Sequence, residues 1–239
     1  MKSNSRFALI FTLATAALVP LLGSSSSMAA EVVRVERQVG SFQQLEVADA
    51  VNVYLTQGPV KPAVIEAESN LVSLVELETS GSVMKVHLKR NSSFTSHHDI
   101  NVYLSTPDVN ALSIYGSGDL KVVGKLSSKD SIKIAISGSG SLSGELNTPT
   151  VAASIAGAGD IKVKGKTRDL KVSIAGSGDY DGFGLLAENT SVSIVGSGDA
   201  HVYASKNLEV STAGSGDVSY SGDPQVRSSI MGSGSVKKR

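Results

Sequence analysis

The chain predicts an all-β solenoid of stacked short coils, and three observations carry that prediction. A tetrapeptide of the pattern Gly-Ser-Gly-Asp, varied only at Ser141, Ala158 and Ser235, recurs seven times, starting at Gly116, Gly138, Gly157, Gly176, Gly196, Gly214 and Gly232. The first glycines are 22, 19, 19, 20, 18 and 18 residues apart, a period typical of solenoid coils. Apolar residues occupy the same offsets in each repeat and lie two apart, as one buried face of a strand requires.

Before the repeats comes a leader. Lys2 and Arg6 precede the apolar run Phe7 to Leu22, and the small residues Ser24 to Ala30 follow. This is the layout of a secretory signal peptide cleaved after Ala29 or Ala30. The run is shorter than a helical membrane span needs. Residues 1–30 are therefore expected to be removed, and no later stretch could cross a membrane as a helix. Removing the leader takes away Lys2 and Arg6 and leaves 20 basic residues against 22 acidic ones. Such a balance gives no basis for nucleic-acid binding. The absence of cysteine removes disulfides, thiolate metal sites and a cysteine nucleophile.

The mature chain, 31–239, is expected to be a single domain. Its first part, 31–109, alternates like strands at Phe42, Leu45, Val47, Val51, Val53 and Leu55, then over 63–67, 83–88 and 100–104. Turns are expected at Gln57-Gly58-Pro59 and at Ser80-Gly81-Ser82. In Asn70 to Leu77, the spacing of Leu71, Leu74 and Val75 predicts a helical turn. Residues 40–105 are expected to extend or cover the N-terminal end of the solenoid.

From residue 110 the coils take over. Two places before each motif stand Ile114, Ile136, Ile155, Ile174, Ile194, Thr212 and Ile230. One place after it stand Leu120, Leu142, Ile161, Tyr180, Ala200, Val218 and Val236. Matched columns of this kind are what parallel, in-register stacking demands. Each coil is predicted as strand, Gly-Ser-Gly-Asp corner, strand, turn. In the last coil Ser228, Lys237 and Lys238 are expected at positions that are apolar elsewhere. The open end would then be protected by its charges or would self-associate.

The motif glycines are expected to be structural corner residues: Gly116, Gly118, Gly138, Gly140, Gly157, Gly159, Gly176, Gly178, Gly196, Gly198, Gly214, Gly216, Gly232 and Gly234. Ser and Asp can bond nearby backbone N–H groups. The column Asp160, Asp179, Asp199 and Asp217 is also a candidate calcium site, because stacked carboxylates repel unless they are solvated, capping or bridged by a cation. Two copies of the motif carry Ser141 and Ser235 in place of Asp. A phosphate loop is excluded, since a strand rather than a helix follows each copy. His97-His98-Asp99, with His87 nearby, is a further metal candidate, though adjacent histidines in extended chain point apart. No nucleophile elbow or glycosidase carboxylate pair stands out. Lys121, Lys162 and Lys164 are outward and have no evident catalytic partners. Coils this short leave no long loops from which to build a cleft.

Gly40-Ser41-Phe42-Gln43-Gln44-Leu45-Glu46-Val47, then Val51 to Gly58, then the Gly-Ser-Gly-Asp coils together resemble the head GIN domain family, described as auto-transporter adhesins. The resemblance covers about residues 40–235. It implies a right-handed parallel β-helix-like fold, export, and no established enzymatic activity. The expected function is a non-catalytic envelope or surface protein, an adhesin or binding scaffold for a protein or glycan partner, with homo-oligomerisation possible through its flat faces. No cofactor is expected. The chain stops at Lys237-Lys238-Arg239 with no membrane barrel, so the location is expected to be periplasmic or extracellular at the cell surface. The alternatives are a β-helix enzyme acting on extracellular polysaccharide and a calcium-stabilised structural repeat protein.

Overall fold

The computed structural model describes residues 31–90 and 98–239. The N-terminal part contributes seven strands: β1 (Val32–Arg37), β2 (Gln44–Asp49), β3 (Val51–Gln57), β4 (Ala63–Glu68), β5 (Val75–Ser80), β6 (Val83–Leu88) and β7 (Ile100–Thr106). Seven coils follow, each of two strands. They are β8 (Ala111–Gly116) with β9 (Asp119–Ser127), β10 (Ser131–Gly138) with β11 (Ser141–Asn147), and β12 (Thr150–Gly157) with β13 (Asp160–Lys166). Then come β14 (Asp169–Gly176) with β15 (Tyr180–Leu186) and β16 (Asn189–Gly196) with β17 (Ala200–Tyr203). The last two are β18 (Asn207–Gly214) with β19 (Val218–Ser221) and β20 (Gln225–Gly232) with β21 (Val236–Lys238).

Two sheets result. The first has the order β1-β4-β7-β3-β9-β11-β13-β15-β17-β19-β21, and the second β20-β18-β16-β14-β12-β10-β8-β2-β6-β5. From β8 onward every pairing is parallel, and the first glycine of each motif lies beside its counterpart, as in Gly157↔Gly176 and Gly176↔Gly196. The predicted solenoid is therefore present. The isoleucine column is its spine: Ile114, Ile136, Ile155, Ile174 and Ile194 are each 1% exposed or less. Full burial of one such side chain contributes about 1.5–3 kcal/mol. The opposite inner face is equally closed, with Leu120, Leu142, Ile161, Tyr180, Ala200 and Val218 buried in the same core.

The N-terminal segment both extends the solenoid and covers its end. β2 and β3 form an additional first coil, with Leu45↔Leu112 and Val47↔Ile114 in one sheet and Val53↔Leu120 in the other. Its corner is Asp49-Ala50-Val51-Asn52, in register with Gly116-Ser117-Gly118-Asp119. Asp49 takes the left-handed conformation, φ 63°, where later corners carry a glycine of positive φ, and its Oδ2 accepts the Leu88 N–H at 2.9 Å. The chain then leaves the solenoid to build a cap from β4 to β7, joined by β1, and re-enters at β8. Antiparallel pairs β1–β4, β4–β7 and β5–β6 close this end.

The helical turn expected in 70–77 is confined to one 3-10 turn, Val72–Leu74. Val75 already belongs to β5, where it faces Leu88 across the hairpin. The Arg37 guanidinium donates to the carbonyls of Val72 (2.8 Å) and Val75, which gives the turn an exit into strand rather than further helix. Among the described residues the other end carries no such cover. Every residue of β20 is exposed, including Ile230 and Met231. Lys238 does stand in an inward column, beside Tyr220, whereas Lys237 stands beside Ser219 and His201 in an outward one, contrary to expectation.

Candidate functional site

Two columns of corners run along the solenoid, one on each edge. On the Gly-Ser-Gly-Asp edge the chain turns so tightly that consecutive corners touch through their backbones. Gly176 has φ 134°. Gly178 has no such φ, yet a Cβ there would lie 2.2 Å from the Gly159 carbonyl oxygen and 2.8 Å from Ile155 Cγ2. The first glycine is needed for conformation, the second for space.

The aspartates of this edge have a definite task. Each Oδ1 accepts the backbone N–H of the equivalent residue one coil further on. Asp160 receives Asp179 N–H (3.2 Å), Asp179 receives Asp199 N–H (2.8 Å), and Asp199 receives Asp217 N–H (2.8 Å). Asp217 receives both the N–H (2.7 Å) and the hydroxyl (2.8 Å) of Ser235. Asp119 binds Ser141 in the same two ways, and Asn52 Oδ1 accepts the Asp119 N–H at 3.2 Å. After Ser141 the ladder is broken, and Asp160 N–H goes to the Gly140 carbonyl instead. The hydrogen bonds from Ser235 hold the Asp217 carboxyl below its ordinary pKa. The four calcium candidates are thus placed in one column and each spends an oxygen on the next coil.

On the other edge the turns between coils line an open groove of about 1330 Å³. It runs from Gln57 in the first coil past Ser127, Asn147 and Thr167 to Tyr203 and Ser205. Its charges are mixed: Lys129, Lys133, Lys166 and Arg168 alternate with Asp108, Asp130 and Glu188. Two are already paired. Arg168 Nε donates to Asp169 at 2.7 Å, and Lys206 binds Glu188. Asn189 and then Arg168 hold the Asp169 carboxyl below its usual range by hydrogen bonding. Gln57 ties the first coil to the second, donating to the Pro107 and Ser127 carbonyls (2.9 Å each) and accepting the Ser127 N–H (2.7 Å). Amides and hydroxyls such as Gln43, Gln44, Asn110, Ser128 and Ser131 line the rest of the wall.

The remaining candidates separate. Lys162 pairs with Asp181 (3.2 Å) and Lys164 with Glu145 (3.8 Å), both on the exposed outer face of the first sheet. His97 lies outside the described residues. His98 Nδ1 lies 3.2 Å from the buried carboxylate of Glu68. His87 is engaged elsewhere, between Glu76 and Glu78. Sequence reasoning missed that group, although residues equidistant from the Gly81 turn must face each other, which pairs Glu76 with His87. It also missed Gln57 and Asn52. Asn52 could have been found by aligning Val53 with Leu120.

Several solved structures share this architecture. A putative adhesin from Bacteroides fragilis NCTC 9343 is 21% identical, with a TM-score of 0.82 over 87% of this chain and 97% of that one. A putative adhesin from Parabacteroides merdae ATCC 43184 is 18% identical, with a TM-score of 0.72 over 87% and 96%. A putative lipid binding protein from Parabacteroides distasonis ATCC 8503 is 22% identical, with a TM-score of 0.70 over 87% and 96%. No curated protein matches the sequence. The family described as "Putative auto-transporter adhesin, head GIN domain" matches residues 41–224, most of the chain, and the protein belongs to that family.

Proposed function

We propose that the protein is a non-catalytic, exported binding scaffold of the adhesin type, and that its groove holds an extended, uncharged polar polymer such as a glycan strand. The observation that carries this reading is the groove itself: a continuous polar trough along successive coils, with amides and hydroxyls at its wall and its charges nearly balanced. A polymer of repeating units suits a wall of repeating coils, because each coil presents its turn to the groove one strand spacing further on. Mixed charge gives little attraction for a polyanion. Export rests on the leader at 1–30, and β1 begins at Val32, just past the expected cleavage position.

Calorimetry of the purified protein against neutral envelope and extracellular glycans tests the reading. Asn110→Arg and Asn147→Arg, both at exposed positions in the groove, should abolish binding while leaving the melting midpoint unchanged. Lys162→Ala, on the outer face of the first sheet, should bind like the wild type. Binding that survives both groove substitutions, or turnover of the bound glycan, would overturn the proposal.

A further inference from the structure

The geometry points to a divalent transition-metal site on the β5–β6 hairpin, formed by Glu76, Glu78 and His87 and suited to zinc. A ligand atom from each residue lies within 4.8 Å of the other two. Glu76 stands directly across the hairpin from His87, and Glu78 follows on the same strand face. The imidazole sits between the two carboxylates, with Nδ1 3.7 Å from Glu76 Oε2 and Nε2 3.6 Å from Glu78 Oε2.

Hydrogen bonding sharpens the assignment. His87 Nδ1 is 3.1 Å from the Leu88 carbonyl oxygen, which can only accept, so the neutral ring carries its hydrogen on Nδ1. Nε2 then turns a lone pair toward the Glu78 carboxylate. Two acceptors then face each other, a contact that a second ring proton or a metal ion can bridge. A backbone carbonyl fixing the far nitrogen is also the usual support of a metal-bound histidine. Lys85, directly opposite Glu78, does not fill the role by itself, because its Nζ is drawn to Glu46 at 3.3 Å.

The donor set selects the ion. An imidazole with two carboxylates suits zinc and its neighbours better than calcium or magnesium, which favour all-oxygen cages. Two carboxylates and a neutral ring balance a divalent charge. Zinc holds its ligands at about 2.0–2.2 Å. Nε2 and Glu78 face the ion directly, the partly exposed Glu76 side chain would swing in from the Nδ1 side, and water would complete the shell. The site would pin the hairpin that caps the solenoid's N-terminal end.

Isothermal titration of the purified protein with zinc chloride tests this. The expected result is one saturable site per chain and a melting midpoint that rises with zinc. His87→Ala and Glu78→Gln should each weaken zinc binding at least about tenfold. Glu78 is mostly exposed, so Glu78→Gln keeps the test available if His87→Ala does not fold. His98→Ala should leave the affinity unchanged. Absence of a saturable site, unaltered affinity in Glu78→Gln, or loss of binding in His98→Ala instead would each overturn the assignment.

Discussion

Replacing Gly178 by alanine tests the stacking of the corners more directly than any other single change. Gly178 carries no unusual φ, so the substitution acts through space alone. The added methyl would sit 2.2 Å from the Gly159 carbonyl oxygen, 2.8 Å from Ile155 Cγ2 and 3.0 Å from the Gly159 nitrogen. Two of those three atoms are backbone atoms of a hydrogen-bonded coil and cannot swing aside. Relief requires the two coils to part locally, which strains the flanking bonds Gly178 N–H to Gly157 O (3.1 Å) and Asp179 N–H to Asp160 Oδ1 (3.2 Å). Overpacking a rigid site costs about 1–3 kcal/mol, and a backbone obstacle belongs at the upper end. In a chain of this size about 3 kcal/mol corresponds to a fall of roughly 6–12 °C in melting midpoint. Gly40→Ala is the control, since none of the described residues lies within 4 Å of a Cβ there, and it should stay within about 0.5 kcal/mol of the wild type. Thermal unfolding followed by circular dichroism reads both. A Gly178→Ala midpoint within about 2 °C of the wild type would refute contact between stacked corners as the reason for the second glycine.

Other substitutions probe the ladder and the core. Asp199→Ala leaves the Asp217 N–H without its acceptor and should cost about 1–3 kcal/mol in urea unfolding, whereas Asp199→Asn keeps an oxygen there and should cost less. Equal losses in the two variants would show that charge, not acceptance, matters. Tyr180 is fully buried and its hydroxyl has no partner among the described residues, while burial pushes its pKa up. Tyr180→Phe should therefore be neutral or stabilising by about 1 kcal/mol, and Tyr180→Ala should lose about 3–5 kcal/mol. The Asp217 carboxyl is depressed in the folded state, so its contribution is complete above the unfolded value and fades as pH falls through the folded one. The melting-midpoint gap between wild type and Asp217→Asn should accordingly shrink below about pH 4, and a gap that widens in acid would contradict the sign.

The coils were legible because one constraint wrote itself seven times. A corner with no room for Cβ demands glycine at two places, and an in-register column demands the same apolar residue above and below. Ile155, Gly157 and Gly159 show both demands within five residues. The first coil was hidden because it satisfies the same geometry by other means. Asp49 adopts the left-handed conformation at a non-glycine residue, and Val51 fits where later corners need glycine because the cap, not a preceding Gly-Ser-Gly-Asp corner, lies beside it. The role of the aspartates was only half visible. Composition suggested capping within a turn, but the N–H that each one binds belongs to the next coil, which only register reveals. The groove left no trace at all. Its lining comes from turns as different as Ser127-Ser128, Asn147-Thr148 and Leu186-Ala187, so what repeats there is position and not residue type.

The detour between β3 and β8 has a kinetic consequence. Beyond β8 each strand finds its partner about one coil back along the chain, a short loop to close. The second coil instead docks on β2 and β3 across the whole cap, a separation of 67 residues between Asn52 and Asp119. Contacts of that span are slow to form. Assembly should therefore wait on the N-terminal end and then run quickly toward β20, so that a chain emerging N-terminus first completes its slow step before its fast ones.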